Sequence, residues 1–330
     1  MTHARLSRFN LEDPVHGQVP CAVLAPEHHT SSALPVCLFL YGGGGSRESL
    51  ASLQPVFKAA WREGKLNPCV IATPDVGPFS FYLDDHARGY AWESFITRRF
   101  VPQLQAAGRV AIVGVSMGGY AALKLAFEHP QQFAAVAAVS PMIEPYAERH
   151  PDAVPLRNRY FYPPEVPQAL LGAQRDAALY HADHPTARAR KNASAIIAHK
   201  LAIYIDAAGR DALNAHDGAE SLHRELWARD IPHEYQLRKN SDHAGPDQVP
   251  RLLSALRWVN DELQPPAAAS LTALERDWQT WLDDPSQAQP TTPLPADSGL
   301  FPAYLRALLE PQRKEAAKQD PSMHRHYGLL

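Results

Sequence analysis

Long apolar runs are missing from this chain. Nowhere do the ~18 consecutive apolar residues of a membrane-spanning helix occur, and the opening MTHARLSRFNLEDP holds no apolar stretch of signal-peptide length. A soluble, cytoplasmic protein with no membrane partner is expected. Cysteine is scarce too: Cys21, Cys37 and Cys69 are the only 3, too few and too unpatterned for a disulfide framework or a zinc site, and an odd count suits a reducing compartment. They read as small buried hydrophobes. Neither sign of charge dominates, since 32 Lys+Arg stand against 35 Asp+Glu for a net charge of −3. That balance gives no electrostatic footprint for nucleic acid or for an anionic membrane surface. Internal repeats and low-complexity tracts are absent as well.

What is present is an alternation. Short runs rich in Val and Ile take turns with longer helical patterns from about residue 18 to 262, the signature of an α/β fold with a mostly parallel sheet covered on both faces. The expected strands are 17–26, 34–41, 68–76, 109–115, 133–141, 200–209 and 233–239, with helices near 50–63, 92–106, 117–129, 212–229 and 246–262. Residues 142–199 interrupt the rhythm and carry the aromatic cluster Tyr160, Phe161 and Tyr162, so an insertion is expected there, either overhanging a site or packed as a surface excursion. From Pro265 the composition shifts, with nine of the 30 prolines in 265–330 around two amphipathic helical candidates. The expected organisation is a main α/β domain over 1–264 and a Pro-rich helical appendage over 265–330. The appendage would pack on the main domain or, in a homo-oligomer, on another copy of the chain.

The strongest chemical signal is VAIVGVSMGGYAALKLAFEHP. A β-branched strand runs directly into Gly114-Val115-Ser116-Met117-Gly118 and then a helix, the strand–turn–helix setting of a nucleophile elbow. Glycines at 114 and 118 let strand and helix backbones come close. Ser116 would stand exposed at the strand's end, with the free N–H groups of the new helix beside it. An activated serine needs an oxyanion hole. The four glycines Gly42 to Gly45, after the strand LPVCLFLY, offer N–H donors with no Cβ in the way, Gly43 being chosen over the close alternative Gly44 and paired with the amide of Met117. A phosphate-cradling loop is the rival reading, but no Gly-Lys-Ser/Thr follows and no acidic partner stands about 20 residues on.

A hydroxyl becomes nucleophilic only when a base takes its proton, and in such folds an acid and then a histidine follow the serine in chain order. After KLAIYIDAAG, the loop Gly209-Arg210-Asp211 places Asp211 at the strand's end, with Asp206, inside the strand, as runner-up. After HEYQLRK, the loop Asn240-Ser241-Asp242-His243 places His243 just ahead of a helix. Asp242 reads as a loop or capping residue. The implied chemistry is acyl transfer through Ser116, with His243 as base, Asp211 orienting the imidazole and a small-molecule ester or thioester as substrate. It requires no metal or organic cofactor, and the pairs His28-His29 and His181-x-x-His184 lack further convincing ligands.

These motifs, together with FYLDDHARGYAWESFITRRFVPQL ahead of the elbow and SDHAG around His243, resemble the esterase D-like branch of the α/β-hydrolases. That group includes S-formylglutathione hydrolases, feruloyl esterases, enterochelin esterases and mycobacterial mycolyltransferases. The resemblance covers about 20–262 and places nucleophile, acid and base on Ser116, Asp211 and His243. It also implies that the helix bearing Trp92 and Glu93 packs beneath the site. Tyr41 departs from the histidine that many α/β-hydrolases carry before the oxyanion glycines. Tyr82, Asp84 and Asp85 are equally readable as substrate-bordering or as plain loop residues. Three functions stay open: ester hydrolysis; acyl transfer or peptide cleavage by the same triad; and a hydrolase-like scaffold that binds through residues 265–330.

Overall fold

The computed structural model describes residues 4–27, 34–85, 89–104, 110–144, 177–264, 272–295, 298–301, 303–309 and 311. They fall into two compact units, Met1–Gln264 and Pro265–Leu330.

In the first unit eight strands form one sheet: β1 (Ala4–Asp13), β2 (Gly17–Pro26), β3 (Val36–Leu40), β4 (Val70–Pro74), β7 (Val110–Val115), β8 (Phe133–Val139), β9 (Ala202–Ala208) and β10 (Glu234–Arg238). Their order is β1-β2-β4-β3-β7-β8-β9-β10. Every pair from β4 to β10 is parallel, while β2 runs antiparallel to both β1 and β4. A separate two-stranded pair joins β5 (Asp84–Asp85) to β6 (Tyr90–Ala91). Strands β3, β4 and β7 are buried at every position, which is why they read as continuous apolar runs rather than alternating ones.

Helices cover both faces. Helix α1 (Glu48–Arg62) buries Leu50, Phe57, Ala60 and Trp61. Helix α2 (Trp92–Phe95) passes into a π-helical turn, Ile96–Phe100, and a last short stretch, Val101–Gln103, with Pro102 at its start. Helix α3 (Met117–Glu128) is buried from Met117 to Phe127, and such an all-round apolar helix belongs in the core. Helices α4 (Ala177–Asp183), α5 (Pro185–Ala198), α6 (Ala215–Trp227) and α7 (Gln248–Leu263) complete the layers. No helix among the described residues is long and apolar enough to cross a membrane.

Two parts differ from the sequence-based expectation. Strand β1 lies outside every expected strand; it is a half-exposed edge whose Leu6, Phe9 and Leu11 do not keep a period of two. Of the stretch 142–199, α5 packs on α3 and stands between β8 and β9 in the chain, so it is a regular crossover helix. Only Pro185, Ala189 and Ile196 of α5 are buried, too sparse a stripe to stand out. Tyr160, Phe161 and Tyr162 lie outside the described residues.

The second unit has its own small core. Helix α8 (Ala273–Asp283) opens on a capping box, Thr272 accepting from the Glu275 amide while the Glu275 carboxylate accepts from the Thr272 amide. Trp278 and Trp281 stack edge-on, both rings lie against Tyr304, and the Trp278 indole donates to the Thr292 carbonyl at 2.9 Å.

Candidate active site

Parallel strands deliver their C-terminal ends to one rim, and the loops that follow β3, β7, β9 and β10 carry the residues of interest. The tightest feature follows β7. Ser116 holds φ 55° and ψ −117°, a left-handed conformation that costs a non-glycine residue of order 1–3 kcal/mol and persists only where its surroundings impose it. Here they do. Ser116 N–H donates to the Val139 carbonyl at 2.9 Å, and the Ser116 carbonyl accepts from Tyr120 at 3.0 Å and Met142 at 3.1 Å. A Cβ on Gly114 would fall 1.9 Å from the Gly118 oxygen, so the bend admits no side chain there.

The bend presents the Ser116 hydroxyl to an imidazole. Ser116 Oγ lies 2.8 Å from His243 Nε2, and His243 Nδ1 lies 2.8 Å from Asp211 Oδ2. A carboxylate only accepts, so Nδ1 carries the imidazole proton and Nε2 is left to accept from the serine. The other Asp211 oxygen accepts from the Leu213 amide at 2.8 Å. The Asp211 side chain is fully buried and that of His243 is 12% exposed. Hydroxyl, imidazole and carboxylate in line can move a proton from oxygen to nitrogen as the oxygen attacks carbon.

Asp206, the runner-up acid, is elsewhere employed. Its buried carboxylate takes Arg251 Nε at 2.6 Å on one oxygen and Arg238 Nε at 2.8 Å on the other. The two candidate oxyanion glycines also part company. Gly44 N–H donates to the Pro78 carbonyl at 2.8 Å, whereas Gly43 N–H has no hydrogen-bond acceptor among the described residues. Met117 opens α3, so its N–H has no intrahelical acceptor. Gly42 faces the serine directly, a Cβ there standing 3.3 Å from Ser116 Cβ.

Tyr41, in the place of the expected histidine, props this loop. Its hydroxyl accepts from the Val76 amide at 2.7 Å and lies within donating distance of Asp75 Oδ1 and the Gly77 carbonyl. Burial, with Asp75 beside it, pushes the phenol well above its ordinary value, so it stays neutral. Tyr82 is wholly buried and donates to the Tyr41 carbonyl at 3.2 Å. Asp84 accepts from the Ser94 amide and hydroxyl. Tyr82 thus braces the glycine loop, and Asp84 ties β5 to α2. Phe79, which sequence reasoning did not single out, lies over Gly43, its Cε1 3.1 Å from where a Cβ would be, and is 40% exposed.

Beneath the elbow sits a charged core. Lys124 of α3 is fully buried and meets Glu93 at 3.0 Å and Asp183 at 2.9 Å; Arg188 bridges the same two carboxylates. Burial alone would raise the Glu93 carboxyl, but Lys124, His129 and Arg188 outweigh it and hold it far below the usual carboxylate range. His16 stacks on Trp92 at 3.5 Å between ring centroids and accepts from the Ala91 amide. His184 accepts from the Thr186 amide at 3.2 Å and so caps α5. His28 and His29 lie outside the described residues. The three cysteines are buried, and burial pushes the Cys21 and Cys69 thiols up to about 12, far from thiolate chemistry.

The sheet order, the serine at the bend and the loops that meet it define an α/β-hydrolase. A family model described as "Putative esterase" matches residues 15–255, and the chain belongs to this esterase family. Diacylglycerol acyltransferase/mycolyltransferase Ag85A of Mycobacterium tuberculosis is 34% identical over 99 residues, 26% of this chain and 29% of that protein. The match therefore spans less than a third of the relative's length. Among solved structures, a ferulic acid esterase superposes with a TM-score of 0.63 at 18% identity, covering 79% of this chain and 99% of the other. An S-formylglutathione hydrolase from Agrobacterium tumefaciens gives 0.62 at 17% identity, covering 80% and 97%. At such identities the likeness is one of fold.

Proposed function

We propose that the chain is a serine esterase that hydrolyses a small-molecule carboxylic ester or thioester through an acyl-enzyme on Ser116. The observation that carries this reading is the unbroken chain from Ser116 Oγ through His243 to Asp211, both links at 2.8 Å, starting from a serine held in a strained bend. Ser116 Oγ attacks the carbonyl carbon while its proton passes to His243 Nε2, and the carbonyl's π pair moves onto oxygen. The amides of Met117 and Gly43 receive that oxyanion, each such donor being worth about 3 kcal/mol. Collapse breaks the bond to the alcohol or thiol, which leaves with the proton from Nε2. Water, deprotonated by the same nitrogen, then releases the acid. Asp211 keeps Nδ1 protonated and stabilises the imidazolium. Buried thiols are compatible with a reducing compartment, and the proposed location is the cytoplasm.

The likeness to an acyltransferase over 99 residues favours one second reading, in which an alcohol replaces water in the last step. Turnover of p-nitrophenyl acetate, an S-acyl glutathione and a feruloyl ester, with and without glycerol as acceptor, separates the two. Free acid released at full rate without acceptor supports hydrolysis. Acid formed only sluggishly until acceptor is added, with a new ester as product, supports transfer. Ser116→Ala is expected to lose turnover by about 10³-fold or more in either case, and retention of turnover would overturn both.

A further inference from the structure

Asp242 spans the two loops that carry the proposed acid and base. One oxygen of its carboxylate, Oδ1, accepts from the Ala212 amide at 2.8 Å and from the His243 amide at 2.6 Å. Ala212 follows Asp211, and His243 follows Asp242. The Asp211–His243 pair is thus closed by a second link between the same two loops, of equal length at 2.8 Å. A main-chain bond runs alongside, from the Arg210 amide to the Ser241 carbonyl at 2.9 Å. The main chain of Asp242 is also anchored from below: Arg251 Nη1 donates to the Asp242 carbonyl at 3.0 Å. Arg251 is itself locked in place, with Nε on Asp206 at 2.6 Å and Nη2 on the Ser140 hydroxyl at 2.7 Å. Asp206 and Arg251 are buried. The histidine loop is therefore tied to the ends of β8 and β9 through one rigid guanidinium, and to the acid loop through one carboxylate.

We propose that Asp242 is a positioning residue that sets the distance between Asp211 and His243, with Arg251 as its anchor in the core. The claim rests on the Ser116–His243–Asp211 reading and adds a residue that acts through His243 without touching substrate. What the two N–H groups require is an acceptor oxygen at the Oδ1 position; an asparagine amide supplies one and an alanine does not. Both donors lower the Asp242 carboxyl from its ordinary value, as two hydrogen bonds to the ionised form should. Geometry of this kind matters because a misplacement of about 1 Å at a reacting group costs on the order of 100-fold in rate. Asp242 lies at the surface, so its replacement leaves the core intact, whereas replacing Arg251 would leave the buried Asp206 with only one of its two cations, Arg238.

The test compares Asp242→Ala and Asp242→Asn in the full chain, beside Ser116→Ala and His243→Ala. Asp242→Ala is expected to lower kcat by about 10- to 100-fold with KM within about twofold, and Asp242→Asn to recover kcat to within about threefold of the parent. Proton NMR at low temperature supplies a readout that needs no turnover: the downfield resonance of the His243 Nδ1 proton, held by Asp211, should be present in the parent and in Asp242→Asn and lost or markedly shifted in Asp242→Ala. A parental kcat and resonance in Asp242→Ala would overturn the proposal, and so would an Asn variant as damaged as the Ala variant. Should Ser116→Ala or His243→Ala keep full turnover, the esterase reading fails, while the resonance still decides whether Asp242 sets the contact between Asp211 and His243.

Discussion

Gly118 and Leu40 are packed main chain against main chain: a Cβ on Gly118 would stand 2.1 Å from the Leu40 carbonyl oxygen and 2.5 Å from its carbonyl carbon. The first turn of α3 is thereby pressed onto the end of β3, beside the glycine loop. Backbone cannot swing away as a long side chain could, so Gly118→Ala must move α3 or the sheet. A loss of about 3 kcal/mol or more is expected, together with loss of labelling of Ser116 by a fluorophosphonate. Thermal melting and labelling of the same sample check both, and an alanine variant with parental melting and labelling would contradict this packing.

The buried charges around Lys124 lead to a second prediction. Two cations, Lys124 and Arg188, face two carboxylates, Glu93 and Asp183. Lys124→Met leaves the two carboxylates to one guanidinium, with the His129 imidazole beside Glu93, and breaking a buried network in this manner costs about 3–5 kcal/mol. Because the folded Glu93 carboxyl lies below its ordinary value of 4.5, the stability it contributes is complete above about pH 4.5 and is lost as pH falls further. Chemical denaturation of the variant at pH 7 should show the full deficit. A shift of under about 1 kcal/mol would place the network among those that contribute nothing.

His184 makes stability fall with acid through the opposite kind of group. Burial pushes its imidazole down to about 3 from the ordinary 6.5. Below pH 6.5 the unfolded chain therefore takes up a proton that the folded chain refuses, and stability declines by about 1.4 kcal/mol per pH unit toward pH 3. In His184→Asn the side-chain oxygen can still accept the Thr186 amide, but the edge-on contact with Tyr120 is lost. The variant should be less stable at pH 7 and show a flatter slope between about pH 5 and 6, a window above the Glu93 titration. Urea titrations across that window give the slope, and an undiminished one would contradict the assignment.

The buried strands and the bend at Ser116 were legible because they are local. Strands β3, β4 and β7 are apolar at nearly every position, and Gly114 and Gly118 announce a close approach within one five-residue window. Asp211 and His243 could be chosen because each sits just past a strand, where loops of a parallel sheet must meet. Strand β1 was hidden because an edge strand need bury little, and α5 because Ala189 and Ile196 are a thin stripe on a polar helix. Asp242 read only as a loop or capping residue, and Arg251 not at all, for another reason. Asp242 joins residues 30 positions apart in sequence, and Arg251 reaches back to Asp206 and Ser140; no spacing rule records such contacts. Tyr41 likewise looked only like a missing histidine, until its hydroxyl met the Val76 amide.

The central claim is that an acyl group is carried on Ser116. Rapid acid quenching during turnover of a p-nitrophenyl ester, followed by intact-mass and peptide analysis, tests it directly. An adduct of one acyl mass is expected on the peptide bearing Ser116, absent in Ser116→Ala and formed far more slowly in His243→Ala. An acyl adduct on another residue during full turnover, with none at Ser116, would contradict it.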